Sequence, residues 1–198
     1  MKTGDTNPLH AFAGWASGVG HDWSERATER AKNAFIDIIA VMIPWARETV
    51  SNKVSALAKN WGSGQCTAVG FEAGLSAPMA AMVNGTTAHA IDFDDNFDPA
   101  KAHATAVLAP ALLALAEDRD LNGTALIDAY IVGLQIIGRV GQGVNPFHRN
   151  RGWHATATVG AVGSAAGCAR ILGLNADRTA HAISLATSMC GGFMSQFG

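Results

Sequence analysis

With 198 residues, 14 Lys+Arg against 16 Asp+Glu and a formal net charge of −2, the chain lacks the clustered positive charge that a basic nucleic-acid module uses to neutralise phosphates. Hydrophobic residues make up 48% and charged residues 15%, more apolar side chain than a disordered segment carries, so a sizeable core has to be buried. Cys66, Cys168 and Cys190 form neither a CxxC pair nor a Cys/His ligand set, which argues against a disulfide framework or a zinc site and points to a reducing cytoplasm.

From Met1 to Gly20 there is no charged start followed by a long apolar run, so no secretory signal is read there. Every candidate membrane span is interrupted by Arg, Asp, His, Gly or Pro, and the chain is read as soluble with no membrane partner. Ser24 is placed to cap a helix over 24–43, whose apolar residues recur at helical spacing until Pro44. A second helix is predicted from about Glu48 to Trp61, where Val50, Val54, Leu57 and Trp61 fall four and three apart before Gly62 and Gly64. Cys66 to Phe71 is short and flanked by glycine, a strand or a mere connection.

Small residues dominate from Ser76 to Ile91 and again from Ala104 to Glu117, which favours helices packed closely on their neighbours. Pro110 inside the second of these predicts a kink or an early start. The apolar run from Thr124 to about Val144 has the Ile and Val of a strand but the length of a buried helix, and Asn145-Pro146 breaks it. Two more helices follow, at about 156–172 and from an Asn175 cap to about Met189. The expected fold is all-α: one domain of packed Ala/Gly-rich helices over 1–198, without an internal boundary.

Two polar clusters interrupt this pattern. The first is Asn84-Gly85-Thr86-Thr87-Ala88-His89-Ala90-Ile91-Asp92-Phe93-Asp94-Asp95, with His103 at the mouth of the following helix. Three carboxylates within four positions repel one another, so they need a cation, hydrogen-bond donors or water. The alternative is a solvated acidic turn in which Asp94 or Asp95 caps a helix. A magnesium site is disfavoured, since no second acidic cluster and no basic diphosphate site accompany it. His89 reads as a core histidine inside an apolar helical run, and His10, His21, His148 and His181 have no supporting neighbours.

The second cluster is Arg149-Asn150-Arg151-Gly152-Trp153-His154-Ala155-Thr156-Ala157-Thr158. Gly152 and Trp153 are expected to fix the loop. His154 at a helix start feels the positive end of the dipole, which favours a neutral imidazole able to accept a proton; a capping or core role is the alternative. No GxGxxG after a strand, no GxxxxGK[ST] and no GxSxG occurs.

These motifs, with Val107-Leu108-Ala109-Pro110-Ala111 and Ala165-Ala166-Gly167-Cys168-Ala169-Arg170, resemble the MmgE/PrpD family over about residues 25–198. The resemblance implies a helical domain, a second α/β domain and a homodimer. It also implies chemistry on di- or tricarboxylic acids without a metal or organic cofactor, as in 2-methylcitrate dehydratase, cis-aconitate decarboxylase and iminodisuccinate epimerase. Carried over by position, Asp92, His103 and His154 are the catalytic candidates. Asn96, Lys101, Arg151 and Trp153 are the substrate-binding candidates, with Arg149 as an alternative cation. His103-Ala104-Thr105 stands where the family often has His-Pro-Ser, and the stretch from Asn96 to Ala102 is similar to the epimerase branch. The family continues into a Thr-Lys-Pro segment whose lysine joins the site. The expectation is therefore a helical domain that is incomplete by itself, a lyase acting on a small polycarboxylate. An epimerase, or a half-enzyme subunit needing a complementing C-terminal chain, is the alternative.

Overall fold

The computed structural model describes residues 7–72 and 74–196. Its elements in chain order are α1 (Pro8–Gly18), α2 (Glu25–Trp45), α3 (Thr49–Ala58), β1 (Ser63–Cys66) and α4 (Ala77–Ala88). They continue with α5 (Ala104–Asp118), α6 (Gly123–Val144), the single turn α7 (Phe147–Asn150), α8 (Ala155–Ile171) and α9 (Ala176–Met189). The fold is all-α, as the helical periodicity predicts.

Local chemistry explains most of the boundaries. Ser24, Asn122 and Asn175 each accept a hydrogen bond from a backbone N–H three residues on, of Ala27, Ala125 and Arg178, satisfying one of the open donors at the helix start. Along α2, Ala31, Phe35, Ile38, Val41 and Met42 form the buried stripe at three- and four-residue spacing. α2 runs one residue past Pro44 instead of stopping before it, because a proline in the last turn forfeits a single bond. α5 accommodates Pro110 in its interior and is buried along most of its length, so tertiary packing offsets the missing bond.

Three parts differ from the expectation. α1 is a helix that the sequence reading does not include; Asn7 caps it, accepting from Leu9 N–H at 3.0 Å, with Pro8 at the first helical position. The short strand lies at Ser63–Cys66 and bridges antiparallel to Leu75, whereas residues 67–71 form a turn. α6 is, by length and composition, apolar enough to cross a membrane, contrary to the sequence reading; half of that stretch is buried here as a core helix.

Small residues set the layer spacing. At the α6–α8 crossing a Cβ on Gly163 would overlap Ile137 and stand 2.9 Å from the carbonyl oxygen of Gly133, so only glycine lets these backbones approach. α8 also lies along α5, where Ser164 donates to the carbonyl of Val107 at 3.0 Å and a Cβ on Gly160 would press on the Val107 side chain. These contacts put the starts of α5 and α8 side by side.

Candidate active site

His103 and His154 occupy equivalent places, the residues immediately before α5 and α8. The backbone N–H of His103 donates to Thr156 Oγ1 at 3.0 Å, which ties the two helix starts together. The loop reaching His103 closes on itself through Phe97 N–H to the Ala102 carbonyl at 2.9 Å, and Asn145 after α6 donates to the Ala100 carbonyl at 2.7 Å. Asp92 and Lys101 adopt left-handed backbone, φ 59° and 54°, at the two ends of this loop. Aspartate tolerates that region; lysine is held there at a conformational cost.

The loop before His154 is fixed differently. Gly152 turns with φ 88°, and Trp153 pairs with Phe193. The His154 N–H donates to the Gly192 carbonyl at 3.0 Å, and Met194 N–H donates to that of Gly152 at 2.8 Å. His148, which had no supporting neighbours in the sequence, has Nε2 at 2.6 Å from Thr158 Oγ1 and stacks on the Trp153 ring.

A polar pocket of about 440 Å³ opens between these two loops. Asp92, Asn96, Lys101, His103 and His154 line it, together with Arg149 and Thr156. Arg151 is exposed and does not line it, and Trp153 stacks on Phe193 with ring centroids 5.1 Å apart instead of facing it. An apolar groove of about 580 Å³ lies between α4, α5 and α8, but His89 is the one titratable side chain among its walls, whereas the polar pocket gathers several.

Behind the pocket, His89 is not a plain core histidine. α4 ends at Ala88, which frees the His89 ring to turn toward Asp94, with Nδ1 2.8 Å from Oδ1. The other Asp94 oxygen lies 3.3 Å from His103 Nδ1, close but outside hydrogen-bond alignment. His103 Nε2 in turn lies 3.3 Å from Asp92 Oδ1, and the two imidazole rings pack with centroids 4.6 Å apart. Asp95 fills the capping role: its Oδ1 accepts the Thr105 N–H at 3.0 Å inside the first turn of α5. By distance alone, His89, Asp92, Asp94 and His103 could gather around a metal ion, but the direct His89–Asp94 bond already serves both groups.

The environments push the titrating groups apart. Burial lowers the pKa of His154, reinforced by the nearby His89, His103 and Arg149 charges and opposed by Asp92, so neutral imidazole is favoured. His89 is raised, first by its hydrogen bond to Asp94, and burial opposes that. Burial also raises Asp95.

Fold and pocket together define a helical domain that gathers titratable side chains at paired helix starts. The chain belongs to the MmgE/PrpD family, whose N-terminal domain matches residues 10–198. It is 30% identical over 179 residues to the cis-aconitate decarboxylase-like protein oryM of Aspergillus oryzae, covering 84% of this chain and 36% of that protein. It is also 30% identical to human cis-aconitate decarboxylase, covering 87% and 37%, and 29% identical to the mouse enzyme of that name, covering 91% and 38%. The chain thus spans little more than a third of the length of the curated relatives it matches.

Proposed function

We propose that this domain carries acid–base residues of a lyase that removes carbon dioxide or water from a small di- or tricarboxylic acid. The observation that supports it most is the single polar pocket in which Asp92, His103 and His154 meet Lys101 and Arg149. A substrate with several carboxylates needs cations and donors on more than one side; Arg149 offers a planar fork and Lys101 a point charge, and the starts of α5 and α8 add partial positive charge. The volume of about 440 Å³ suits a ligand of that size.

The two histidines suit different halves of the chemistry. In a dehydration, neutral His154 takes the proton from the carbon beside a carboxylate, the electron pair forms the double bond, and the departing hydroxyl takes a proton from His103. In a decarboxylation, the electron pair left by carbon dioxide moves along the allylic system and the far carbon takes the proton from His103. His103 is placed to exchange a proton with substrate, because its Nε2 lies at the pocket, 3.3 Å from the pocket-lining Asp92 carboxylate. The names of the relatives favour decarboxylation of cis-aconitate as the first reaction to test.

The proposal includes a polypeptide partner, a second copy of the chain or a complementing C-terminal chain, over the pocket rim. There Phe93, Trp153 and Phe193 are exposed next to the pocket-lining Asp92, His154 and Met194. The test is NMR of cis-aconitate, 2-methylcitrate and iminodisuccinate in deuterated water, with the chain alone and with a complementing chain. Loss of carbon dioxide or water is the expected result, either one abolished by His103→Gln and the loss of water also by His154→Gln. Proton exchange without either loss makes the enzyme an epimerase, and no exchange on any of the three overturns the reading.

A further inference from the structure

Asp94 forms no part of the pocket wall, yet its side chain is 0% exposed and lies between two imidazoles. A carboxylate at that depth is costly unless donors surround it. Its donors are few: Oδ1 faces His89 Nδ1 at 2.8 Å in a hydrogen bond, and Oδ2 lies 3.3 Å from His103 Nδ1, two buried atoms that are close but unaligned and have no hydrogen-bond partner among the described residues. We propose that Asp94 is the positioning residue of the centre, a single carboxylate that fixes the ring orientation and tautomer of both histidines and so delivers Nε2 of His103 to the substrate pocket.

An imidazole has two nitrogens, and the hydrogen bond made by one decides which proton the other carries. Asp94 Oδ2 lies 3.3 Å from His103 Nδ1, so a small ring rotation brings an Nδ1–H onto it and leaves Nε2, 3.3 Å from pocket-lining Asp92, as the nitrogen that exchanges protons with a substrate. His89 supplies the balance. Its hydrogen bond to Asp94 favours the imidazolium, which sets a second partner against the buried carboxylate. The rings also pack on each other at 51°, which makes the three side chains one unit. Other charges reach this unit from neighbouring segments: Asp92 from the loop, Asp95 beside the α5 start, and His154 with Arg149 from the α8 side. None of them contacts the Nδ1 atom of His103 in the way Asp94 does among the described residues.

The inference deepens the acid–base reading of the pocket, and its test does not depend on turnover. Long-range proton–nitrogen correlation spectra of the full chain with ¹⁵N-labelled histidine report the tautomer of each ring and its titration midpoint. In the wild type, neutral His103 is expected to carry its proton on Nδ1 and none on Nε2. In Asp94→Asn the His103 tautomers should redistribute and the His89 midpoint should fall, while Asp94→Glu, which keeps the charge, should restore part of both.

If Asp94→Asn does not fold, the wild-type spectrum alone decides. Wild-type His103 with its proton on Nε2, or a folded Asp94→Asn with unchanged tautomer and midpoints, overturns the assignment. Kinetics of cis-aconitate conversion supply the second readout: kcat should fall by about 10²–10⁴-fold in Asp94→Asn with KM nearly unchanged. The expected tautomer in a chain that converts no polycarboxylate refutes the proposed function and leaves the positioning role standing. Conversion by a chain with the opposite tautomer does the reverse.

Discussion

α8 carries His154 at its start and Arg170 in its last turn, so the anchoring of Arg170 bears directly on the site. The guanidinium and the Asp128 carboxylate are 6% and 9% exposed and meet in a two-point contact, Nε to Oδ2 at 2.6 Å and Nη2 to Oδ1 at 3.2 Å. Trp23 donates to the same carboxylate at 2.7 Å, and the remaining Arg170 hydrogens reach the carbonyls of Ser17 at 3.2 Å and Val19 at 2.8 Å at the end of α1.

Asp128→Asn keeps the shape and removes the charge, leaving a buried guanidinium without its counter-ion. Breaking one side of such a pair costs about 3–5 kcal/mol. For a domain of this size each kcal/mol moves Tm by about 2–4 °C, so the expected fall is about 6–20 °C in a circular-dichroism melt at pH 7. Replacing both partners, Asp128→Leu with Arg170→Met, should recover much of that loss, because no uncompensated charge remains.

The pH dependence has a definite sign. Burial pushes the Asp128 carboxyl up, but the bonds from Arg170 and Trp23, with the Arg170 charge, outweigh it and hold the group below its usual range. A carboxylate depressed in the folded state contributes stability that is present above its unfolded value of about 3.9 and is lost as pH falls through the lower folded value. The gap between wild type and Asp128→Asn should therefore close only in acid. A single variant within about 1 kcal/mol of wild type at pH 7, or a double variant as unstable as the single, refutes the account.

Three further outcomes follow from the geometry. Arg149→Ala should raise the KM for a polycarboxylate by roughly 10–100-fold, the loss of about 1.5–3 kcal/mol from a charge-assisted bond, while Arg151→Ala leaves it nearly unchanged; steady-state kinetics of the two variants compare them directly. Because His154 is depressed mainly by burial, kcat/KM for a dehydration should hold until the pH drops below the ordinary histidine value of about 6.5 and then fall as the base is protonated; in His154→Gln that limb should vanish with a loss of about 10²–10⁴-fold. Gly163→Ala should destabilise the chain by about 1–3 kcal/mol in urea unfolding, since its new methyl group meets Ile137 and the Gly133 carbonyl.

How much of this is visible in the amino-acid order depends on how local the cause is. Ser24 and Asn175 cap the helices they precede through bonds spanning three residues, so those starts can be read directly, whereas Asn122-Gly123 reads as the end of one element although Asn122 caps α6. Asn7-Pro8 carries the same kind of signal for α1, but it goes unread when Met1 to Gly20 is weighed only against a secretory leader. The two polar clusters are visible as breaks in an apolar pattern, and both land on one pocket. Which side chains face that pocket is another matter. Arg149 and Arg151 sit two residues apart on and just after a single helical turn, so a small rotation of α7 decides between them, and nothing in their identity does.

His89 is hidden for a related reason. Helical periodicity continues smoothly through Ala88, and the ring finds Asp94 only because α4 stops there and the chain reverses through a left-handed Asp92. His103 then arrives from the next element, placed by Thr156 of α8, fifty-three residues away in sequence. That last placement rests on Gly160 and Ser164 lying against Val107, small residues whose pattern along the chain names no partner. Helix identity is thus a property of neighbouring residues, whereas the pairing of α5 with α8, on which the histidine cluster depends, is a property of backbone approach.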